Sequence, residues 1–390
     1  MKPSVRRNIA IFKAMNAFMF FWPLSAVAII YFESITGSWA TAALIFSLSN
    51  ITQAAFAIPA GIISDVWSRK KVVLTANTFK IMTGLTFSFA GYIENATLLF
   101  IGAVLWGINT SLNQSTEEAF IHETMADLKK KNKYDIVYSS IKIWRYVGST
   151  VSTLTAAAVI YFWSLNTLAW ISVIPGVFQF AVSCFLVEPK SYRPRKNASL
   201  GHFMAAVGNF MKNRRARKIA LAGTMDTSWG ETQYRLNSVY YALFVPLWAV
   251  DFIVFIARAF AGISFYIAIH LRKIGLFQMA LVSNLWKFIM VGLGLLLNNI
   301  ASPFIMAASS LGTGPQTSAV SALMQKEFSD SERAAMRAVV NMFGSLMLAT
   351  SFWIFGLVAD LYSAHIALLG LLAYKGLITV YYWRLMRSYK

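Results

Sequence analysis

Long apolar runs separated by short polar breaks recur along the whole chain. Each run is long enough for a helix of about 20 residues to cross the hydrocarbon core of a bilayer. Twelve spans are predicted, the first six at 9–32, 40–63, 72–93, 97–124, 138–161 and 165–187. The second six fall at 217–246, 249–271, 275–298, 301–325, 334–359 and 364–385. The longest polar break, Glu188 to Arg217, separates the two sets. The chain therefore reads as a bundle of residues 1–187, a basic linker of 188–216 and a second bundle of 217–390. In the linker Leu200, Phe203, Met204, Val207, Phe210 and Met211 recur at helical spacing between the basic clusters Arg193–Lys196 and Lys212–Lys218. That pattern suits an amphipathic helix lying on a membrane surface and joining two halves. The expected fold class is an all-α membrane protein with twelve transmembrane helices in two six-helix bundles.

Composition strengthens this picture. Of 390 residues, 57% are hydrophobic and 13% charged, and the mean hydropathy is +0.56. A soluble chain would carry about 25% charge. The formal net charge of +19 would point to nucleic acid in a soluble protein, but membrane proteins gather cations in their cytoplasmic loops. Placing the N-terminus inside puts Arg69, Lys70 and Lys71, Lys129 to Lys133, the run Lys190–Lys218, Arg272 and Lys273, Lys326 and Arg333 on the inner side, with the tail Arg384, Arg387 and Lys390. The opposite turns, near Glu33, Glu94, Trp163, Asp251, Asn298 and Asp360, contain no Lys or Arg. Both termini are accordingly expected to be cytoplasmic. Ala26-Val27-Ala28 imitates a signal-peptidase site, but the apolar run continues to Phe32, so this first helix is expected to be retained. The single cysteine, Cys184, excludes an intrachain disulfide.

One polar stretch stands out, Gly61-Ile-Ile-Ser-Asp-Val-Trp-Ser-Arg-Lys-Lys71, expected as a turn between a helix ending at Pro59–Gly61 and one beginning near Val72. Its Gly61-x-x-Ser64-Asp65-x-x-Ser68-Arg69-Lys70 resembles the loop 2–3 signature of the major facilitator superfamily, with Val66 in place of the usual cation and Ser68 in place of the usual glycine. Ser115-Thr-Glu-Glu-Ala-Phe-Ile-His-Glu123, Leu186-Val-Glu-Pro189 and Phe328-Ser-Asp-Ser-Glu-Arg-Ala334 are similar to stretches of one bacterial, exporter-like branch of that superfamily. The resemblance implies that Gly61, Asp65, Arg69 and Lys70 form a conformational latch. In it, Asp65 meets the amide end of helix 11, whose start carries capping-box spacing from Ser329 to Glu332.

Ionisable residues deep in spans cost about 2.5–3.5 kcal/mol each on insertion scales, so each needs a cavity, a partner or a function. Arg145, Arg235, Arg258, Lys287 and Lys375 are the inner cations, and Glu117, Glu118, Asp226 and Glu231 the inner anions, with Asn16, Gln114, Gln233, Asn284 and Asn341 as polar company. Asn16, Arg145, Arg235, Arg258, Lys287 and Asn341 are substrate-cavity candidates, because a guanidinium grips a carboxylate in bidentate fashion. The opposing reading makes the charges structural pairs, Arg145 with Glu118 and Arg235 with Glu231. Asp226, Glu231 and Glu118 are the proton-coupling candidates; Asp226 also reads as a helix-start charge. Gly312-Thr-Gly-Pro315 is expected to break its helix, and Pro23, Pro59 and Pro175 are similar isolated points.

No Gly-x-x-x-x-Gly-Lys-Ser/Thr loop is present, so ATP drive is unsupported. At about 2.3 kcal/mol per charge per 100 mV, one proton moving inward sustains roughly a fifty-fold gradient. His122 and Asp127 match an acyltransferase spacing, but no soluble domain accompanies them, and the other histidines show no metal-ligand spacing. The expectation is a non-enzymatic secondary transporter, monomeric, without cofactor, metal or nucleic acid. It moves a small organic molecule, anionic in one reading, across the inner membrane by alternating access with proton-coupled efflux. Uptake of a small organic anion is the alternative, and a transport-dead receptor a remote one.

Overall fold

The computed structural model describes residues 3–130, 133–190, 207–208, 210–327 and 333–388. Among these the regular structure is entirely helical. In the first half the chain forms α1 (Pro3–Phe20), a 3-10 turn at Pro23–Ser25, α2 (Ala28–Thr36), α3 (Trp39–Val66), α4 (Arg69–Tyr92), α5 (Ala96–Asp127), α6 (Tyr134–Phe162), α7 (Leu165–Ile171) and α8 (Ile174–Ser183). The second half forms α9 (Arg214–Tyr241), α10 (Leu247–Leu271), α11 (Leu276–Leu297), α12 (Ser302–Ala308), a 3-10 turn at Ser309–Gly312, α13 (Thr313–Glu327), α14 (Arg333–Leu361) and α15 (Ala364–Ser388). Seven of the described helices are long and apolar enough to cross a membrane. The most apolar window of α10 has mean hydropathy 2.1, yet only 22% of it is buried. Water does not tolerate so large an apolar surface, whereas lipid does.

Three predicted spans are broken where the sequence carries proline or paired glycines. Pro23 opens the 3-10 turn between α1 and α2, Pro175 sits in the first turn of α8, and Gly312–Pro315 marks the passage from 3-10 turn to α13. Pro59 differs, because α3 runs unbroken through it to Val66 and includes Gly61. The expected eleven-residue turn at 61–71 thus shrinks to Trp67 and Ser68. Capping explains the short turn. The Ser68 hydroxyl accepts from the Lys71 amide, and the Glu188 carboxylate accepts from the amides of Arg69 at 2.7 Å and Lys70 at 2.9 Å. With the first orphan amides of α4 satisfied and a negative charge at its positive end, the helix begins at Arg69.

Contacts gather the chain into two compact units. The first comprises residues 1–25 and 48–200, the second residues 26–47 and 201–390, so α3 contributes to both. In the first unit α4 packs along α5, and α1 lies against α6 and α8. Ile11, Phe12 and Met15 of α1 meet Phe120, Ile121 and Met125 of α5, with the Phe12 and Phe120 rings edge to face at 5.1 Å. Gly148 of α6 permits the close approach to α1, since a Cβ there would strike the Ala17 carbonyl.

In the second unit α9 packs on α14 and α15, α11 on α15, and α10 on α13. Val207 and Phe210 of the linker pack against Ala216, Ala220 and Val339, while Met211 is exposed. The remainder of the proposed amphipathic segment, 191–206, lies outside the described residues. The start of α3 is capped from a distant part of the chain. Asp360 accepts from the Ser38 hydroxyl at 2.6 Å and from the Trp39 amide at 2.8 Å. Glu33, between the first two predicted spans, is held above the usual carboxylate range by burial and then by the charge of Asp360.

Candidate functional site

The loop signature and the Ser115–Glu123 stretch come together in the first unit. Arg69 of α4 donates to Glu123 of α5 at 3.0 Å and to the Ser64 carbonyl at 2.6 Å, and reaches Asp65 at 3.5 Å. Lys70 donates to the Cys184 carbonyl at 2.7 Å. Gly61 lies within α3, a turn before Asp65. The helix 11 start proposed to receive Asp65, Ser329 to Glu332, lies outside the described residues.

Deeper in the same unit a second cluster joins α1, α5 and α6. Arg145 donates to Asn16 at 2.6 Å and to Glu117, and Asn16 donates to the other Glu117 oxygen at 3.0 Å. Lys142, one turn before Arg145 on α6, reaches Glu117 at 3.3 Å. Glu118 accepts instead from the Tyr138 hydroxyl at 2.6 Å. The expected pairing of Arg145 with Glu118 is therefore corrected to Glu117. Successive residues on a helix point about 100° apart, so Glu117 lies between α1 and α6 while Glu118 meets Tyr138, a different residue of α6. Phe20 lies under the Arg145 guanidinium at 5.0 Å, and its neighbours Phe18 and Trp22 pack on Phe178 and Trp106.

The second unit holds a different arrangement, built from α9, α11 and α15. Asp226 lies in the interior of α9, thirteen residues into the helix, rather than at a helix start. Lys375 of α15 donates directly to one of its oxygens, and Lys287 of α11 stands 3.8 Å from the other. Both ammonium groups lie over the Trp229 ring, at 4.1 and 5.8 Å, and that ring is fixed by donation to the Leu371 carbonyl at 3.0 Å. Gln316 of α13 sits beside both Asp226 and Tyr382, and is gripped on its oxygen by Asn284 at 2.7 Å. The Gln316 amide nitrogen and the Tyr382 hydroxyl are buried without a hydrogen-bond partner of good geometry. Gly312 makes room for the Lys287 stem, because a Cβ there would come within 3.0 Å of it and 2.9 Å of the Ser283 carbonyl. The fold thus gathers two cations and one anion in a largely buried site.

Of the remaining candidates, Arg235 and Arg258 meet on Tyr234. Arg235 is buried over the rings of Phe46 and Tyr234, at 4.6 and 5.2 Å. Arg258 donates to the Tyr234 hydroxyl at 2.8 Å. Glu231 is exposed and close enough for its charge to act on Arg235, whose guanidinium also packs on aromatic rings. Asn341 is exposed on α14. Two cations escaped notice in the sequence. Lys142 hid near the polar start of α6, and Lys80 sits in an apolar run, donating to the carbonyls of Phe18 and Met19 and to Gln179 at 2.6 Å. A lysine amid apolar residues was itself the available signal for Lys80. Asp251 of α10 is fully buried, with neither carboxyl oxygen hydrogen-bonded. No group of three or more His, Cys, Asp or Glu among the described residues is placed to hold a metal ion.

Comparison with known proteins bears on this architecture. No curated protein sequence matches the chain significantly. Among solved structures, a point mutant of the nucleoside transporter NupG superposes with a TM-score of 0.79 at 14% identity, covering 97% of this chain and 99% of that one. A POT family transporter in complex with 5-aminolevulinic acid gives 0.78 at 11% identity, covering 96% and 95%. A bacterial homolog of the human lysosomal transporter Spinster gives 0.78 at 12% identity, covering 100% and 98%. At such identities these likenesses establish the fold alone. Residues 9–305 match the family described as Major Facilitator Superfamily. Three-quarters of the sequence, the helical fold and the loop signature agree, and the chain belongs to the major facilitator superfamily of secondary transporters.

Proposed function

We propose that the protein exports a small organic molecule across the bacterial inner membrane by alternating access, driven by inward movement of protons, with both termini cytoplasmic. The observation that carries this reading is the pair of charge clusters inside the helices, Asn16–Glu117–Arg145–Lys142 and Asp226–Lys287–Lys375. A protein whose only task was to sit in lipid would not retain them at the insertion cost of so many charges. Asp226 is engaged by two lysines and serves as their anchor. Glu118, on the Tyr138 hydroxyl, and the exposed Glu231 are the carboxylates placed to exchange a proton during the cycle. Gly61, Asp65, Arg69 and Lys70 act as a conformational latch, a reading supported by the contacts of Arg69 with Asp65 and Glu123.

Everted membrane vesicles test the direction. Proton-driven accumulation of a candidate substrate inside them is expected, and accumulation only in right-side-out vesicles would establish uptake instead. Uptake is favoured as a second reading by one observation, the excess of positive charge around Asp226. The nucleoside and 5-aminolevulinic acid named for the structural neighbours belong to proteins that share only the fold with this chain. The substrate class must therefore be argued from its own residues.

A further inference from the structure

Asp226 is the one anion among two lysines, and Lys375 takes its nearer oxygen, so Lys287 shares a charge that is already engaged. Lys375 is wholly buried and donates directly to Asp226, making a sealed one-to-one pair. Lys287 comes no nearer than 3.8 Å to the remaining oxygen, beyond hydrogen-bond distance, and retains about a tenth of its side-chain surface, as does Asp226. Its ammonium therefore has donor capacity to spare on the edge of the site that is still open. Two donors beside it make no hydrogen bond of good geometry: the amide nitrogen of Gln316, 2% exposed and next to Asp226, and the hydroxyl of Tyr382, 1% exposed and next to Gln316. Trp229 adds a π face to both lysines, and Asn284 fixes the orientation of Gln316 through its oxygen.

The other elements packed on α11 offer no balancing anion. The sequences of α12 and the 3-10 turn at Ser309–Gly312 contain no ionisable residue. The only acid of α13, Glu327, lies at its far end and is paired with Arg215 at 2.9 Å. On α15 the neighbours are Lys375 and the neutral Tyr374 and Tyr382. A buried site with two cations on one carboxylate and two poorly satisfied donors is suited to receive a negative charge, since an unbalanced buried ion carries a desolvation cost.

We propose that Lys287, with Gln316 and Tyr382, binds the monoanionic carboxylate group of the transported molecule, while the Asp226–Lys375 pair holds Lys287 in place. The substrate is thus a small organic acid. This rests on the transporter reading, but binding is independent of flux and can fail or succeed separately. The geometry also divides the labour: Asp226 and Lys375 position, and Lys287 touches the ligand.

The test uses the full chain, purified in detergent, with sodium acetate and sodium chloride as probes at equal ionic strength. Thermal midpoints are followed as each salt is raised, since a ligand that binds only the folded state raises the midpoint. Wild type should show a saturable rise with acetate that exceeds the rise with chloride. Lys287→Met should abolish the difference while its midpoint without acetate stays at or above that of wild type, and Lys287→Arg should retain the response. An unchanged acetate response in Lys287→Met, or none in wild type, overturns the proposal. A chloride response equal to that of acetate assigns the site to an inorganic ion and overturns it as a substrate site. If the acetate response depends on Lys287 but vesicles of either orientation show no flux of organic acids, the anion site stands and the transport reading falls.

Discussion

Glu117 in the first unit and Asp226 in the second each lie inside a helix with two cations at hand, yet the two clusters are balanced differently. Around Glu117, Lys142 and Arg145 are matched by Glu118 next along the helix, and the cations keep about a quarter of their side-chain surface exposed. Around Asp226 a single carboxylate faces two lysines exposed by no more than a tenth. Two and two, partly wet, is a structure that holds itself together. Two against one, nearly dry, leaves a charge that something else must satisfy. Buried ion pairs are weak evidence for stability, because desolvation offsets their attraction, but removing one partner of such a pair is costly. The cluster around Asp226 is therefore the more sensitive of the two.

The largest effect is expected at Asp226. Asp226→Asn strands two ammonium groups and should destabilise the protein by about 3–5 kcal/mol, seen as a sharp fall in folded yield and thermal midpoint. Glu117→Gln should cost less, about 1–3 kcal/mol, because Asn16, the Phe20 ring and solvent still serve Arg145. A loss at Glu117 equal to that at Asp226 would erase the distinction between the clusters. Next in size is the α4 cap. Glu188→Gln removes a charged acceptor from two amides and should cost about 1 kcal/mol, measurable by chemical denaturation in mixed micelles.

The smallest effect concerns Glu33, away from both clusters. Its carboxyl binds a proton more readily in the folded protein than in the unfolded chain, through burial and the charge of Asp360. Folded protein then holds more protons than unfolded as the pH rises past the usual carboxylate range, so stability declines over that window. Glu33→Gln should flatten this decline and leave stability at lower pH unchanged. A pH profile identical to wild type would show that neither burial nor Asp360 raises the Glu33 carboxyl.

Much of the fold was legible in the spacing of apolar runs, because a helix in lipid must be long, apolar and internally hydrogen-bonded. The failures are local. Pro59 suggests a helix end, yet one missing amide does not outweigh the continuous turns on both sides of it. Glu188, far along the sequence, supplied the α4 cap that shortened the turn at Trp67–Ser68, and no local pattern announces a cap delivered from so far away. In the sites, the residue types were readable and their partners were not. Arg145 and Asp226 stood out as charges in apolar runs, but whether Glu117 or Glu118 faces Arg145 depends on helix rotation. Similarly, the meeting of Lys287 and Lys375 on one carboxylate depends on how α9, α11 and α15 pack. Lys80 was missed for another reason: its partners are mainly backbone carbonyls, and any sequence offers those.

The most direct measurement of the charge imbalance compares Asp226→Asn with the double variant Asp226→Asn/Lys287→Met in the purified full chain. If Lys287 carries the uncompensated charge, removing it reduces the repulsion left by the first change, and the double variant should melt well above Asp226→Asn. A double variant that melts at or below Asp226→Asn would mean that Lys287 stabilises the site by contacts other than its charge, and would contradict the account.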